Sequence, residues 1–405
     1  MRRKTGTGVA MTGEERSSVA VLAGIYAVRM LGLFMLLPVL ALFASDLKGA
    51  TPTLSGLAVG AYGVTQAGLQ IPFGLLSDRF GRIPVIATGL LIFIAGSIVA
   101  AFSTDIWTLI MGRVLQGAGA ISAAVTALLA DRTRIEVRTR AMAIIGISIG
   151  TTFMLSMIIG PALAGVAGVS SLFWLSAALG GGALVLLLVV LPSDSKSEIP
   201  VPREKPRFLD TLRDGELLRL YIGVFLLHAV VTALFVAVPF ALRDVAGMLA
   251  AEHWKIYLPV ILVSLAGTVP LIILSERQSD GRQSVLIGIS ILLLGQVLMG
   301  WQHGSISSIA FALVIFFAGF NFLEARLPAW LSQLATPERR GAALGIFASC
   351  QFMGAFVGGT MGGWLRGNWG IGGVFTATSI LAAVWLLLAL AGKKDIPGQK
   401  AGNAG

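Results

Sequence analysis

Charge is scarce in this chain. Only 12% of its 405 residues are Asp, Glu, Lys or Arg, about half the share of an ordinary soluble domain. A water-soluble enzyme of this length needs a polar surface that such a composition cannot supply. Cysteine is almost absent: Cys350 stands alone, which excludes an intramolecular disulfide and any Cys-based metal cluster. Three widely spaced histidines argue against a His-rich metal site. There is no phosphate-binding loop, no nucleophile elbow and no metal-ligand spacing. An enzyme is therefore not expected, and neither a cofactor nor a metal is implied. No nucleotide-binding segment is present that would drive a process with ATP.

What the sequence has in abundance is apolar length. Hydrophobic residues make up 56%, glycine contributes 50 residues, and the mean hydropathy is +0.87. A hydrocarbon core about 30 Å thick takes roughly 20 helical residues to cross. Twelve runs meet that length, near 18–44, 53–76, 84–103, 107–130, 139–164, 170–191, 218–241, 255–274, 284–300, 306–333, 340–365 and 370–391. The first is too long for a signal-peptide core and is read as a retained span. The expected fold is an all-α membrane protein of twelve transmembrane helices in two pseudo-symmetric six-helix bundles.

The formal net charge of +10 raises the question of a nucleic-acid partner. The basic residues, however, sit in short clusters between apolar runs, a membrane pattern, so no nucleic acid is expected. With both termini in the cytoplasm, 23 Lys and Arg fall on the inner side and only Lys48, Arg243, Lys255 and Arg366 on the outer. That split sets the orientation. Trp107, Trp254, Trp301, Trp364 and Trp369 fall near the outer ends, where an indole sits among headgroups. A multi-pass protein of a bacterial inner (plasma) membrane is the expected location.

The organisation reads as residues 1–191 for the first bundle, 192–217 for a cytoplasmic linker, 218–391 for the second bundle and 392–405 for a short cytoplasmic tail. The linker holds Pro192, Pro200, Pro202 and Pro206 with mixed charges. Phe208, Leu209 and Leu212 allow either a short surface helix or an ordinary loop. The halves echo each other at an offset of 200 residues: Gly81-Arg82 matches Gly281-Arg282, and Arg140 matches Arg340. Duplicated six-span units suit an alternating-access transporter with its site between the halves. They do not suit a channel built from several subunits, and a monomer is expected.

Between spans 2 and 3 the chain reads Gly74-Leu75-Leu76-Ser77-Asp78-Arg79-Phe80-Gly81-Arg82. A plain basic loop explains the arginines but not this spacing, which resembles motif A of the major facilitator superfamily. Leu109 through Ala120, with Arg113 inside the span, resembles motif B. Gly146, Gly150 and Gly160-Pro161 through Gly165 resemble motif C, which in that family marks the drug–proton antiporter branch. The likeness covers essentially the whole chain. The first six spans are most similar to a member with an extra soluble domain after span 12, a domain not expected in residues 392–405.

The resemblance implies that Asp78, Arg79, Arg82 and Asp131, with Gly74 and Gly81, form a cytoplasmic gating cluster. Thr336-Pro337-Glu338-Arg339 is expected to start span 11, Thr336 capping and Pro337 in the first turn. The dipole of that helix would then face Asp78 and help latch the outward-open state. The glycine faces of span 5, span 11 (Gly354, Gly358, Gly362) and span 2 (Gly56, Gly60) are expected to let helices of opposite halves slide.

Ionisable groups inside spans are functional candidates by default. Glu324 is the only carboxylate in a span interior and suits a proton carrier, unless an arginine from another helix holds it as a permanent ion pair. His228 is the second candidate, because a free imidazole titrates near pH 6.5. Arg113 and Arg29 complete the proton-coupling set, Arg113 by resemblance. Glu324 and Arg326, two residues apart, point about 200° apart on a helix and are not expected to pair. Arg29, Phe34, Tyr62 and Arg326 are candidate cavity residues. Three arginines against one acid favour neutral, amphiphilic or anionic substrates over cationic ones. The expected activity is proton-coupled efflux of a small molecule, such as a drug, by a secondary transporter in the lipid bilayer. The alternative is proton-coupled uptake of a metabolite.

Overall fold

The structure is a computed structural model that describes residues 10–191, 208–245, 247–276, 281–336 and 339–391. Every regular element among the described residues is helical. The helix starts follow local chemistry. Helix α1 (Gly13–Phe34) opens on a capping box in which Thr12 and Glu15 satisfy each other's backbone N–H groups. The chain breaks at Met35-Leu36 and resumes as α2 (Leu37–Ser45), with Pro38 in its first turn. Helix α3 (Pro52–Phe80) is capped by Thr51 and ends at Gly81, whose φ of 93° favours glycine. Helix α4 (Arg82–Ala101) follows at once. Asp105 caps α5 (Ile106–Ala118), and a break at Gly119 separates it from α6 (Ser122–Asp131). Outside the spans, the Thr108 hydroxyl and the N–H groups of Thr108 and Trp107 hold the Asp105 carboxyl below its ordinary pKa. Helices α7 (Ile135–Ala167) and α8 (Ser170–Val190) complete this part.

After the short α9 (Phe208–Leu212) come α10 (Gly215–Asp244), α11 (Trp254–Glu276), α12 (Gly281–Trp301), α13 (Ile306–Leu334) and α14 (Arg340–Leu390). Ten stretches are long and apolar enough to cross a membrane, with α1–α2 and α5–α6 each counting as one. The 51 residues of α14 would span about 76 Å if straight, and its backbone is non-helical at Gly370, so it makes two crossings. Helix α3 falls outside the ten although it has 29 residues; buried Gln66 and Gln70 dilute its hydropathy. Twelve crossings result, as the apolar runs anticipate.

The chain forms two compact units. The first contains α1 to α8 together with Leu249–Trp254, and the second contains α9 to α14 apart from Trp254. Each repeats the same packing. In the first, a Cβ on Gly96 of α4 would stand 2.8 Å from the Gly112 carbonyl oxygen of α5. In the second, a Cβ on Gly295 of α12 would stand 2.6 Å from the Phe316 nitrogen of α13. Gly160 of α7 presses on the Met35 carbonyl, at the break between α1 and α2. In the matching helices of the second unit, Gly354 and Gly358 of α14 press on the Phe225 and Ala229 carbonyls of α10, and Gly362 meets Ala233.

Two expectations change here. The expected glycine faces of spans 5 and 11 are partly used for packing within a unit: Gly160, Gly354, Gly358 and Gly362 bring backbones together inside their own units, whereas Gly146 and Gly150 of span 5 meet open space. Small residues give dispersion contact where water cannot drive association. Thr336 also does not cap α14 through its side chain. The helix begins at Arg340 with Arg339 as N-cap, and the Thr336 carbonyl closes the turn by accepting from the N–H groups of Arg339 and Arg340. Pro337 and Glu338 lie outside the described residues, as do residues 192–207 of the expected linker and 392–405 of the tail.

Candidate functional site

Three groups of polar side chains stand out against the apolar framework. The first lies at the junction of α3 and α4. Ser77 to Arg82 winds through the end of α3 and the tight turn at Gly81. This brings the Arg82 guanidinium to 2.6 Å from Asp78 and 3.1 Å from Asp131 at the end of α6. Arg82 also donates to the Ser77 hydroxyl at 2.6 Å. Arg79 turns away and stacks on Phe80, 5.4 Å from the ring centre. Gly74 lets α3 approach α6, its missing Cβ being 3.3 Å from the Ala123 methyl. Nearby, Arg134 donates to Glu15 at 2.9 Å, and that carboxylate raises the arginine's pKa further.

The second group lies deep in the first unit. Arg29 and Arg113 are 2% and 1% exposed. Arg29 donates to Gln66 and to the Gly119 carbonyl, both at 2.7 Å, and reaches the Ser122 hydroxyl at 3.5 Å. The break between α5 and α6 exposes that Gly119 carbonyl. Arg113 donates to Gln116 at 2.8 Å and to the Ala58 and Val59 carbonyls at 3.3 and 3.4 Å. The Tyr62 ring sits between the two, 5.9 Å from one guanidinium carbon and 5.4 Å from the other. Among the described residues neither arginine has a carboxylate partner. Arginine tolerates this because its charge is delocalised and weakly hydrated and its donors reach several acceptors.

The third group lies midway along the second unit and joins three helices. His228 of α10 places Nδ1 3.1 Å from the Val224 carbonyl oxygen, one turn back. That carbonyl can only accept, so Nδ1 carries the proton and Nε2 of the neutral ring is an acceptor. The Gln351 amide N–H of α14 donates to that Nε2 at 2.8 Å and also reaches Glu324 Oε1 of α13 at 3.4 Å. Glu324 Oε2 stands 3.6 Å from His228 Nε2. The Phe320 ring covers the imidazole, 6.1 Å between centroids. The Glu324 side chain is 43% exposed and that of His228 13%, so the carboxylate faces open space and the ring does not.

The sequence candidates are thus distributed unevenly. Glu324 and His228, singled out separately, come together. Arg29, Arg113 and Tyr62 come together, and Arg29 and Tyr62 are buried. Phe34 packs edge-on against Phe153 at 5.3 Å. Arg326 does not pair with Glu324 and has a buried Nε without a partner. Gly146 and Gly150 face open space, Pro161 is buried beside Gly160, and Gly165 abuts Ala251. Gln351, Gln66 and Gln116 are the participants that a search for charges passes over. Their signal is an amide in an otherwise apolar run.

The comparisons with known proteins agree with this architecture. The family model of the Major Facilitator Superfamily matches residues 22–325 and 260–405. The chain is 42% identical over 383 residues to the inner membrane transport protein YajR of Escherichia coli K12, covering 94% of this chain and 84% of that one. It is 26% identical to the multidrug resistance protein MdtH of Proteus mirabilis, over 83% of this chain and 84% of the other. Among solved structures, a bacterial homolog of the human lysosomal transporter Spinster superposes with a TM-score of 0.77. That match covers 96% of this chain and all of the other at 15% identity, a likeness of fold alone. Twelve crossings in two like-packed units, the charge cluster at Gly81 and a family match along nearly the whole length lead to one conclusion: this chain belongs to the major facilitator superfamily of integral membrane transporters.

Proposed function

We propose that the protein exports small molecules in exchange for protons by alternating access, with His228, Glu324 and Gln351 as its proton-binding group. One observation carries this reading. A carboxyl group and an imidazole from different helices stand 3.6 Å apart within the second unit, with an amide bonded to the imidazole and 3.4 Å from the carboxyl group. Buried ionisable groups in spans are costly and are retained where they do work. A proton arriving at Nε2 displaces the Gln351 donor and leaves an N–H facing the carboxylate. The pair then carries no net charge, where before it carried one negative charge. Binding a proton or a substrate in alternation needs a group of that kind.

Export is supported by the likeness of Gly146, Gly150, Gly160-Pro161 and Gly165 to the antiporter motif and by the name of the MdtH relative. We assign Asp78, Arg82 and Asp131 to the cytoplasmic gate, as an ion-pair cluster that re-forms in each cycle, and place both termini in the cytoplasm. The fixed guanidinia of Arg29 and Arg113 favour neutral, amphiphilic or anionic substrates. The test is reconstitution in liposomes under an imposed pH gradient, with dyes, antibiotics and small metabolites offered to wild type, Glu324→Gln and His228→Gln. Substrate-dependent proton movement that Glu324→Gln abolishes is the expected result. Equal coupling in all three proteins would overturn the assignment. Accumulation along the proton gradient would replace export by uptake.

A further inference from the structure

The second unit has another cavity, which none of His228, Glu324 and Gln351 lines. It measures about 250 Å³ and lies where four helix ends converge. Glu216 and Arg219 come from the first turns of α10, Arg282 from the first turn of α12, Trp330 from near the end of α13, and Trp385 from the last turns of α14. Gly223, two turns into α10, lets the Trp385 indole close the inner end, 3.2 Å from where a Cβ would stand. The lining is mostly apolar, and its charged groups are confined to the rim.

Three features decide what fits. The rim lies at the end of the unit where its basic residues gather, Arg213, Arg219, Arg282, Arg339 and Arg340, so it sits at headgroup level. Its flanks are Ile222 and Leu388, 40% and 52% exposed, so the cavity opens sideways onto surface that lipid covers. The rim has two guanidinium groups and one carboxylate. Arg282 already covers the last carbonyls of α14, donating to Ala389 at 3.1 Å, whereas Arg219 is exposed and pairs with no acid among the described residues. An apolar slot about 10 Å deep along α10, from Glu216 to Gly223, beneath an exposed cation matches an acyl chain beneath a phosphodiester.

We infer that this cavity is a binding site for an anionic glycerophospholipid of the leaflet that borders the Arg-rich loops. One acyl chain lies against Trp385 and the phosphate meets Arg219. The site belongs to the second unit alone and does not depend on the proposed export activity. The two tryptophans are suited to the position, with an apolar body toward the chain and an N–H toward the glycerol level.

The test is a lipid titration of the purified full chain, read by native mass spectrometry and thermal unfolding. Dioleoyl phosphatidylglycerol is compared with dioleoyl phosphatidylcholine and with water-soluble glycerophosphoglycerol, for wild type, Arg219→Glu and Arg213→Glu. Arg219 is exposed in the first turns of its helix, so its reversal leaves the core intact, and Arg213 is a charge-matched control that does not line the cavity. The expected result is retention of phosphatidylglycerol over phosphatidylcholine by about five-fold, the scale of one net cation beside an anionic headgroup. That preference disappears in Arg219→Glu and persists in Arg213→Glu. Equal retention of both lipids overturns the inference, as does an equal response of the two variants. Stabilisation by the soluble headgroup alone would make the site a plain anion site and also overturn it.

Discussion

The two six-helix units solve the problem of charge inside a membrane in opposite ways. In the first, the interior charges are two arginines, almost wholly buried, held by amides and main-chain carbonyls with no acid partner among the described residues. In the second, besides Arg326, the interior holds an acid and an imidazole, loosely paired, with the acid facing open space. The first arrangement fixes a charge, and under the proposed function the second lets one change. An arginine with several acceptors is held in place, whereas the acid and the imidazole are held by fewer and longer contacts, which suits the proton binding proposed above. Responsiveness therefore belongs to the unit with weaker bonding, and rigidity to the unit with stronger bonding.

Four measurements break or sharpen that contrast. The largest effect falls on the labile side: Glu324→Gln abolishes pH-driven transport, a loss of at least about tenfold or 1.4 kcal/mol on the barrier, while thermal unfolding barely moves. The fixed side responds inversely. Arg29→Met leaves the Gly119 carbonyl and the Gln66 oxygen without a donor, and two lost hydrogen bonds to a charge cost about 3 kcal/mol or more. That loss is measured as a lower unfolding temperature in detergent. Next, Gly160→Ala drives a methyl onto the Met35 carbonyl and costs about 1–3 kcal/mol. Gly146→Ala, whose side chain meets open space, is close to neutral, and fluorescence-detected gel filtration after heating separates the two.

The smallest effect concerns pH outside the membrane. The Asp105 pKa is lowered by its cap bonds, so its contribution to stability is complete above the free-carboxyl value near 3.8 and lost as pH falls through the lower folded value. Asp105→Asn keeps the cap but cannot titrate. Its unfolding temperature is therefore below that of the wild type at pH 7, and the gap narrows as pH falls below 3.8.

Much of the fold was legible in the sequence because membrane crossings are set by length and apolarity alone. The runs near 84–103 and 170–191 match α4 and α8 to within two residues. The interruptions at Met35-Leu36 and Gly119 were not legible, since a helix that bends or restarts within the bilayer keeps the same hydropathy. The cap at Thr336 was misplaced because a carbonyl-closed turn and a hydroxyl cap have the same sequence signature. At the site, Glu324 and His228 were visible as costly groups, but their 3.6 Å separation joins residues 96 positions apart, which no periodicity encodes. Gln351 escaped notice because an uncharged amide is tolerated in many packed helices.

The parallel approach of α10 and α14 has one more consequence. Gly354 and Gly358 bring backbone against backbone over successive turns, with no side chain between them to change rotamer. His228 and Gln351 ride on those two helices, so their mutual bond is a fixed socket. Glu324 is carried by α13, outside that welded pair, and is the component free to dock or withdraw. A cysteine bridge across the α10–α14 seam should leave the protein working, and one tying α13 to either helix should stall it.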